Sequence, residues 1–267
     1  MKGYFEAAAV ETGTMNIGVI GYGGRTRGLL RLIDRFKTGA VVAAIADPNF
    51  EAVKEQAAQQ GFDVHDCPVF ADPDEMLDGV KLDGVIVGTR CSLHARMGIK
   101  VIERGLPLFL EKPVATNRED LLALAKAGRK AKSGVVVSFP LRLTVQVVTV
   151  MEMLAQEKIG RLEAVNAWCD PPYADVYFTR WYRDEEETGG LWLQKATHDF
   201  DYIGHVVGSP ARQVAAMTTR RVFKGDRPAG LRCADCDEWE TCMESPFNRY
   251  YVPVSYTHLT LPTKRIV

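Results

Sequence analysis

The 267-residue chain is 46% hydrophobic and 25% charged, proportions of an ordinary folded globular protein that exclude a disordered or fibrous one. Its 33 basic and 34 acidic residues leave a formal net charge of −1, so no basic field exists to hold a nucleic acid. No stretch approaches the ~18 apolar residues of a membrane span, and the opening MKGYFEAAAVETGT lacks a signal-peptide core, which makes the cytoplasm the expected compartment and excludes a membrane partner.

Two domains are expected at this length. Residues 1–14 show no period and read as an N-terminal extension. Residues 17–47, IGVIGYGGRTRGLLRLIDRFKTGAVVAAIAD, run as strand, glycine-rich turn, helix and strand. Gly21 permits the tight turn, Gly23 lets the main chain approach a phosphate, Gly24 loosens the turn further, and Arg25 follows at the head of the helix. The third fingerprint position, where helix packs on strand, holds Thr26 in place of Gly or Ala. Asp47 closes the second strand 26 residues after Gly21, where a carboxylate accepts both ribose hydroxyls of NAD and repels the 2′-phosphate of NADP. Its alternative role, with Pro48 behind it, is to cap the next helix.

The alternation continues with a helix over 51–60, a strand over 68–70 and a helix opened by Asp72 and Pro73. Residues 82–88, LDGVIVG, form a continuous apolar run, as a central parallel strand buried on both faces requires. Thr89 to His94 turn into a helix over 95–104. A strand over 107–110 ends in Glu111, Lys112 and Pro113, a helix spans 118–132, and a sixth strand spans 134–139. This describes a doubly wound parallel sheet over residues 15–141. Ligands of such sheets bind beyond the carboxyl ends of the strands, which gathers Gly21, Gly23, Gly24, Arg25, Asp47, Thr89, His94, Glu111, Lys112 and Arg142 on one rim. Lys112, partly desolvated there, has a lowered pKa and can exchange a proton near neutral pH. Taken alone it is equally a surface lysine before a turn.

The second domain, 142–253, opens with an apolar helix to about residue 156. Residues 161–169 and 211–220 alternate as strands of a second, open sheet. A loop over 170–188 carries Tyr173, Trp181 and Arg183 among other aromatic and basic side chains, which suit a polyhydroxylated substrate and could also pin the loop to the body. Beyond Gly189 and Gly190, a helix shows two stripes. Leu193, Ala196, Phe200, Ile203 and Val207 form an apolar one, expected to be buried. Gln194, His198, Asp201 and His205 form a polar one, expected at a cleft. A histidine and an aspartate on one helix could ligate a metal, but no third ligand is evident. Cys233, Cys236 and Cys242 form a CxxC with a third cysteine: loop thiols, or half of a zinc site without a matching second CxxC.

GVIGYGG, the acid at Asp47, the Glu111-Lys112-Pro113 triplet and GGLWLQKATHDFD together resemble the glucose-fructose oxidoreductase and inositol dehydrogenase family over about residues 16–216. The resemblance implies a Rossmann domain followed by an α+β domain with an open, mainly antiparallel sheet. It implies an oxidoreductase using NAD, NADP less so, on a small sugar or cyclitol, and self-association of the full chain. Lys112 and His198 would then handle the proton of the reacting hydroxyl, with a Lys-Pro bond that is often cis. Lys195, Gln194, Arg142, Tyr173, Trp181 and Asp201 would face the substrate. Gln194 stands where the family has an aspartate. A glycosidase of the same fold that recycles bound NAD, and a sensing protein without catalysis, are the alternatives. Residues 254–267 read as a non-native tail, leaving the second domain short of several strands.

Overall fold

In the computed structural model the described residues are 14–59, 67–169, 177, 180–219, 227–228, 231–242 and 245–248. The expected tail at 254–267 and Tyr173 lie outside them. Two compact units arise, one of Met1–Asp170 with Glu185–Arg212, the other of Pro171–Asp184 with Gln213–Val267.

The first unit is built on six parallel strands. These are β1 (Met15–Ile20), β2 (Ala40–Ala46), β3 (Val69–Phe70), β4 (Gly84–Val87), β5 (Leu108–Leu110) and β6 (Val135–Val137), in the order β3-β2-β1-β4-β5-β6. That order reverses direction between β1 and β4, which opens a crevice beyond the strand ends. The connecting helices are α1 (Gly24–Arg35), α2 (Phe50–Gln59), α3 (Pro73–Gly79), α4 (His94–Glu103) and α5 (Arg118–Gly128).

Alternate residues of each strand feed opposite faces. Val19, Ile45 and Ile86 pack with Leu30 of α1 and Val53 of α2. Ile20, Val85, Val87, Leu108 and Leu110 pack under α3, α4 and α5 with Met76, Val101 and Leu124. All four residues of β4 are buried, as its unbroken apolar run requires. Helix starts follow local chemistry: the Asp72 side chain accepts from the Asp74 N–H at 2.8 Å at the head of α3, and Asn117 accepts from Asp120 N–H at 2.8 Å at the head of α5.

Thr26 departs from the glycine fingerprint without opening the packing. It is 1% exposed, and its Oγ1 donates to the Gly88 carbonyl at 3.3 Å. Room for it comes from across the turn, because a Cβ on Gly88 would lie 2.1 Å from Thr26 Oγ1.

After β6 come a 3-10 turn (Pro140–Leu143) and the helices α6 (Val145–Ala155), α7 (Glu185–Thr188), α8 (Gly190–Gln194) and α9 (Ala196–Val207). All belong to the same compact unit as the sheet. Two expectations are corrected. Residues 161–169 and 211–219 form no strand; alternation spaces the side chains correctly, but a strand also needs a hydrogen-bonded neighbour, and none pairs with them among the described residues. The apolar stripe of α8 and α9 is also not buried, since Leu193, Phe200 and Val207 are 37%, 55% and 46% exposed. The helix instead turns its polar stripe inward, where Gln194 is 7% exposed, and Trp192 and Phe200 stack on the outer face with centroids 6.0 Å apart.

In the second unit, Trp181 stacks on Tyr182 at 3.9 Å. Cys236 N–H donates to the Cys233 carbonyl across a 3-10 turn (Cys233–Asp235) at 3.4 Å. Among the described residues no group of three or more His, Cys, Asp or Glu side chains is placed to hold a metal ion, and no helix is long and apolar enough to cross a membrane.

Gly88→Ala should lower unfolding stability by about 1–3 kcal/mol, the usual cost of overpacking. In a Thr26→Ala background the same change should cost clearly less, because the remaining contact, to Thr26 Cβ, is 3.4 Å. Urea unfolding of the four proteins checks this; equal costs in both backgrounds would contradict the pairing.

Candidate active site

The rim begins at the glycine loop. Gly21 has φ +86°, and a Cβ there would sit 2.8 Å from the Thr89 backbone, so this position excludes every side chain on two counts. Gly23 differs: a Cβ would meet only the Gly88 carbonyl at 3.8 Å, and one on Gly24 only the Arg27 guanidinium at 3.8 Å. The protein's own packing does not need these two to be bare. Helix α1 has no side-chain cap and no acidic residue in its first turn, so its leading N–H groups are open to an anion. A dinucleotide pyrophosphate fits this cradle.

Asp47 stands just past β2. Its Oδ2 accepts from the Tyr22 N–H at 2.8 Å and its Oδ1 from the Asn49 N–H at 2.9 Å. Its capping role is thus in place: it ties down the glycine loop and the approach to α2, while each oxygen keeps a lone pair.

His94 has a different task from the cofactor contact expected of it. The ring is 2% exposed, with Nδ1 2.7 Å from the Pro113 carbonyl and Nε2 3.2 Å from the Thr89 carbonyl. Burial lowers its pKa, and a neutral ring donates to only one of these oxygens. It fastens the loop after β4 to the loop after β5. Thr89 likewise spends its hydroxyl on the Arg90 carbonyl at 3.1 Å.

Beyond β5, Glu111 is 4% exposed and accepts from Arg25 Nε at 3.0 Å, while Arg25 Nη2 donates to Ser138 Oγ at 3.4 Å. The Lys112–Pro113 peptide bond is cis. Lys112 Nζ donates to the Gln194 main-chain carbonyl at 2.5 Å. Burial lowers the pKa of this ammonium, with Cys91 and Glu111 acting against the fall and Arg25 and Lys195 adding to it. Cys91, 4% exposed, is pushed up to about 11 by its own burial and stays a neutral thiol.

That contact brings in α8 and α9. His198 follows Gln194 by one turn and meets Phe139 edge-on at 5.9 Å. Its Nδ1 is buried without a hydrogen-bond partner, as is Gln194 Oε1. Burial first, then the positive charges of Lys112, Lys195 and Arg25, pull His198 down to about 4 against the pull of Asp199. Lys195 donates to Asp199 Oδ2 and Cys169 Sγ, each at 3.0 Å. Burial works to lower its pKa, but these bonds outweigh it and the ammonium is held above its ordinary range.

Arg142 and Asp201, both expected to face substrate, grip each other instead: Arg142 Nε and Nη2 donate to the two carboxylate oxygens at 2.7 and 2.5 Å. Such a bidentate pair is a strong clasp, here between the 3-10 turn and α9. It lines an open groove of about 600 Å3 with Phe139, Phe200, His205 and Pro210.

The structure thus draws together Arg25, Glu111, Lys112, Gln194, Lys195 and His198. Sequence reasoning missed Ser138, Phe139, Asp199, Cys91 and Cys169. Of these, Asp199 had a readable signal, four residues after Lys195 on one helix face. Phe139 and Ser138 had one too, at the end of a rim strand.

A model of the NAD-binding Rossmann fold of the GFO_IDH_MocA oxidoreductase family matches residues 15–139, and one of the GFO/IDH/MocA C-terminal domain matches residues 147–238. YteT of Bacillus subtilis is 29% identical over 224 residues, covering 79% of this chain and 52% of that protein. Inositol 2-dehydrogenase 2 of Saccharopolyspora erythraea is 27% identical over 209 residues, 78% of this chain and 58% of the enzyme. The solved WlbA dehydrogenase of Bordetella pertussis, in complex with NADH and UDP-GlcNAcA, aligns with a TM-score of 0.62 at 25% identity over 73% of this chain and 58% of that one. The chain spans about half the length of the relatives it matches. It belongs to the GFO/IDH/MocA oxidoreductase family and carries that family's NAD-binding Rossmann fold.

The depressed His198 has a consequence for stability. Between its ordinary 6.5 and about 4 the unfolded chain binds a proton that the native state refuses, so stability falls as pH drops through that interval. His94, also lowered, acts in the same direction. Urea unfolding should show a weaker fold at pH 5 than at pH 7, and His198→Gln should flatten the difference; an unchanged slope in the variant would contradict the assignment.

Proposed function

We propose that the chain is an NAD-dependent dehydrogenase acting on a hydroxyl-bearing carbon of a sugar or cyclitol. The observation that carries this reading is the 2.5 Å contact between Lys112 Nζ and the Gln194 carbonyl. Through it, a half-buried amine beyond the end of β5 reaches the residue one helical turn before an imidazole with an unpartnered nitrogen. The names of the relatives, an inositol dehydrogenase and a dehydrogenase solved with NADH and a UDP-sugar derivative, support a polyhydroxylated substrate.

Gly21, Gly23 and Gly24 hold the pyrophosphate at the head of α1, with Arg25 and Glu111 beside it. Asp47 takes the ribose hydroxyls on its free lone pairs and repels a 2′-phosphate, which favours NAD over NADP. Thr89 and, through the loop it fastens, His94 complete the rim. Bound NAD supplies the hydride acceptor.

Lys112 exchanges the proton of the reacting hydroxyl, because burial makes its ammonium easier to deprotonate than a surface lysine. His198 is neutral and accepts or relays that proton at its free nitrogen. Lys195, held charged by Asp199 and Cys169, donates to a second substrate oxygen. Arg142 and Asp201 position α9. The proposal includes self-association and a cytoplasmic setting.

Lys112→Met should leave NADH affinity, followed by fluorescence titration, indistinguishable from that of the parent. Hydride transfer from a polyol panel should fall by about 10²–10⁴-fold. Equal turnover in the variant would remove Lys112 from the mechanism.

A further inference from the structure

Among the described residues, four carboxylates of this region are committed to other partners. Glu111 holds Arg25 at 3.0 Å, Asp199 holds Lys195 at 3.0 Å, and Asp201 holds Arg142 at 2.5 and 2.7 Å. Glu187 accepts from Ser92 Oγ at 2.5 Å. The Lys112 ammonium donates, among the described residues, to the Gln194 main-chain carbonyl; the Glu111 charge that acts on it is shared with Arg25, and the side chain of Gln194 is a neutral carboxamide. At His198 the same imbalance is felt as three cations, Lys112, Lys195 and Arg25, against one carboxylate, Asp199.

Gln194 itself is 7% exposed, and its Oε1 is buried with no hydrogen-bond partner. A buried orphan acceptor costs free energy until a donor arrives, and a half-buried cation whose nearest counter-charge is shared with a second cation adds to that cost. A ligand that relieves both must bring a hydroxyl and a negative charge together.

We propose that Gln194 sets the charge class of the substrate: standing neutral beside the Lys112 ammonium, it fits the site to a polyol bearing a carboxylate, a sugar acid of the uronic or aldonic kind. The carboxylate lies in the positive field that Lys112 shares with Lys195 and Arg25, which leaves Lys112 to exchange the proton of the reacting hydroxyl, and a neighbouring hydroxyl donates to Gln194 Oε1. A glutamate at this position would supply the counter-charge from the protein and repel the acid. The inference rests on the dehydrogenase reading above and deepens it.

The test uses the whole chain loaded with NADH, so that the pyrophosphate has already taken its share of the positive field, in low-salt buffer at neutral pH. Calorimetric titration should show D-glucuronate binding at least ~10-fold more tightly than D-glucose, equivalent to about 1.4 kcal/mol. Gln194→Glu and, separately, Lys112→Met should bring the two affinities level while NADH still binds. Equal affinities in the parent, or a preference that survives in Gln194→Glu, would overturn the proposal. Binding of NADH with neither sugar would overturn the polyol reading and this inference together.

Discussion

A lysine whose carbon chain is sunk beyond the end of a buried strand must place its ammonium somewhere, and here it reaches the Gln194 carbonyl at 2.5 Å. That one hydrogen bond ties the parallel sheet to the helices that follow it. On the sheet side it depends on β5 being held between β4 and β6, and on His94, whose Nδ1 lies 2.7 Å from the Pro113 carbonyl. On the helix side it depends on the Arg142–Asp201 clasp. Without either support, Lys112 and His198 would have no reason to share a volume.

The electrostatics follow from the same contact. Drawing Lys112, Lys195 and Arg25 toward one imidazole would be costly if all three were bare. Glu111 and Asp199 answer two of them through direct bonds. Burial and the residual positive field keep His198 neutral, and burial eases the proton off Lys112. An amine that releases a proton readily and an imidazole that does not hold one are suited to passing a proton rather than keeping it. The open N–H groups at the head of α1 supply the anion cradle on the same rim.

The six strands and the helices between them were legible because each strand is an apolar run of strand length and each connection carries its own start signal, as at Asp72 and Asn117; their order across the sheet was not read. The glycine loop was legible for a steric reason, since only glycine can stand at Gly21. The trade between Thr26 and Gly88 was half visible: the departure could be read, its compensation across the turn could not. Lys112 and His198, singled out by motif, lie close enough for the charge of one to act on the other, whereas His94 and Arg142 with Asp201 are engaged with the protein itself. A polar residue's spacing does not reveal whether it is spent on the protein itself. The stripe on α9 shows the same limit. Periodicity marked two faces, and the Arg142–Asp201 ion pair together with the half-buried Lys112 amine holds the polar one inward. Residues 161–169 and 211–219 alternate like strands, but alternation alone says nothing about a pairing partner.

On the proposed reading, the Lys112 amine and the His198 ring converge upon a nicotinamide seated from the glycine loop. The most direct measurement is a crystal structure of the chain with NADH bound. It is expected to show the nicotinamide C4 facing a gap bordered by Lys112 Nζ and His198, with the pyrophosphate against Gly23 and the head of α1. A nicotinamide directed away from that gap, or Lys112 and His198 opening onto separate surfaces, would contradict it.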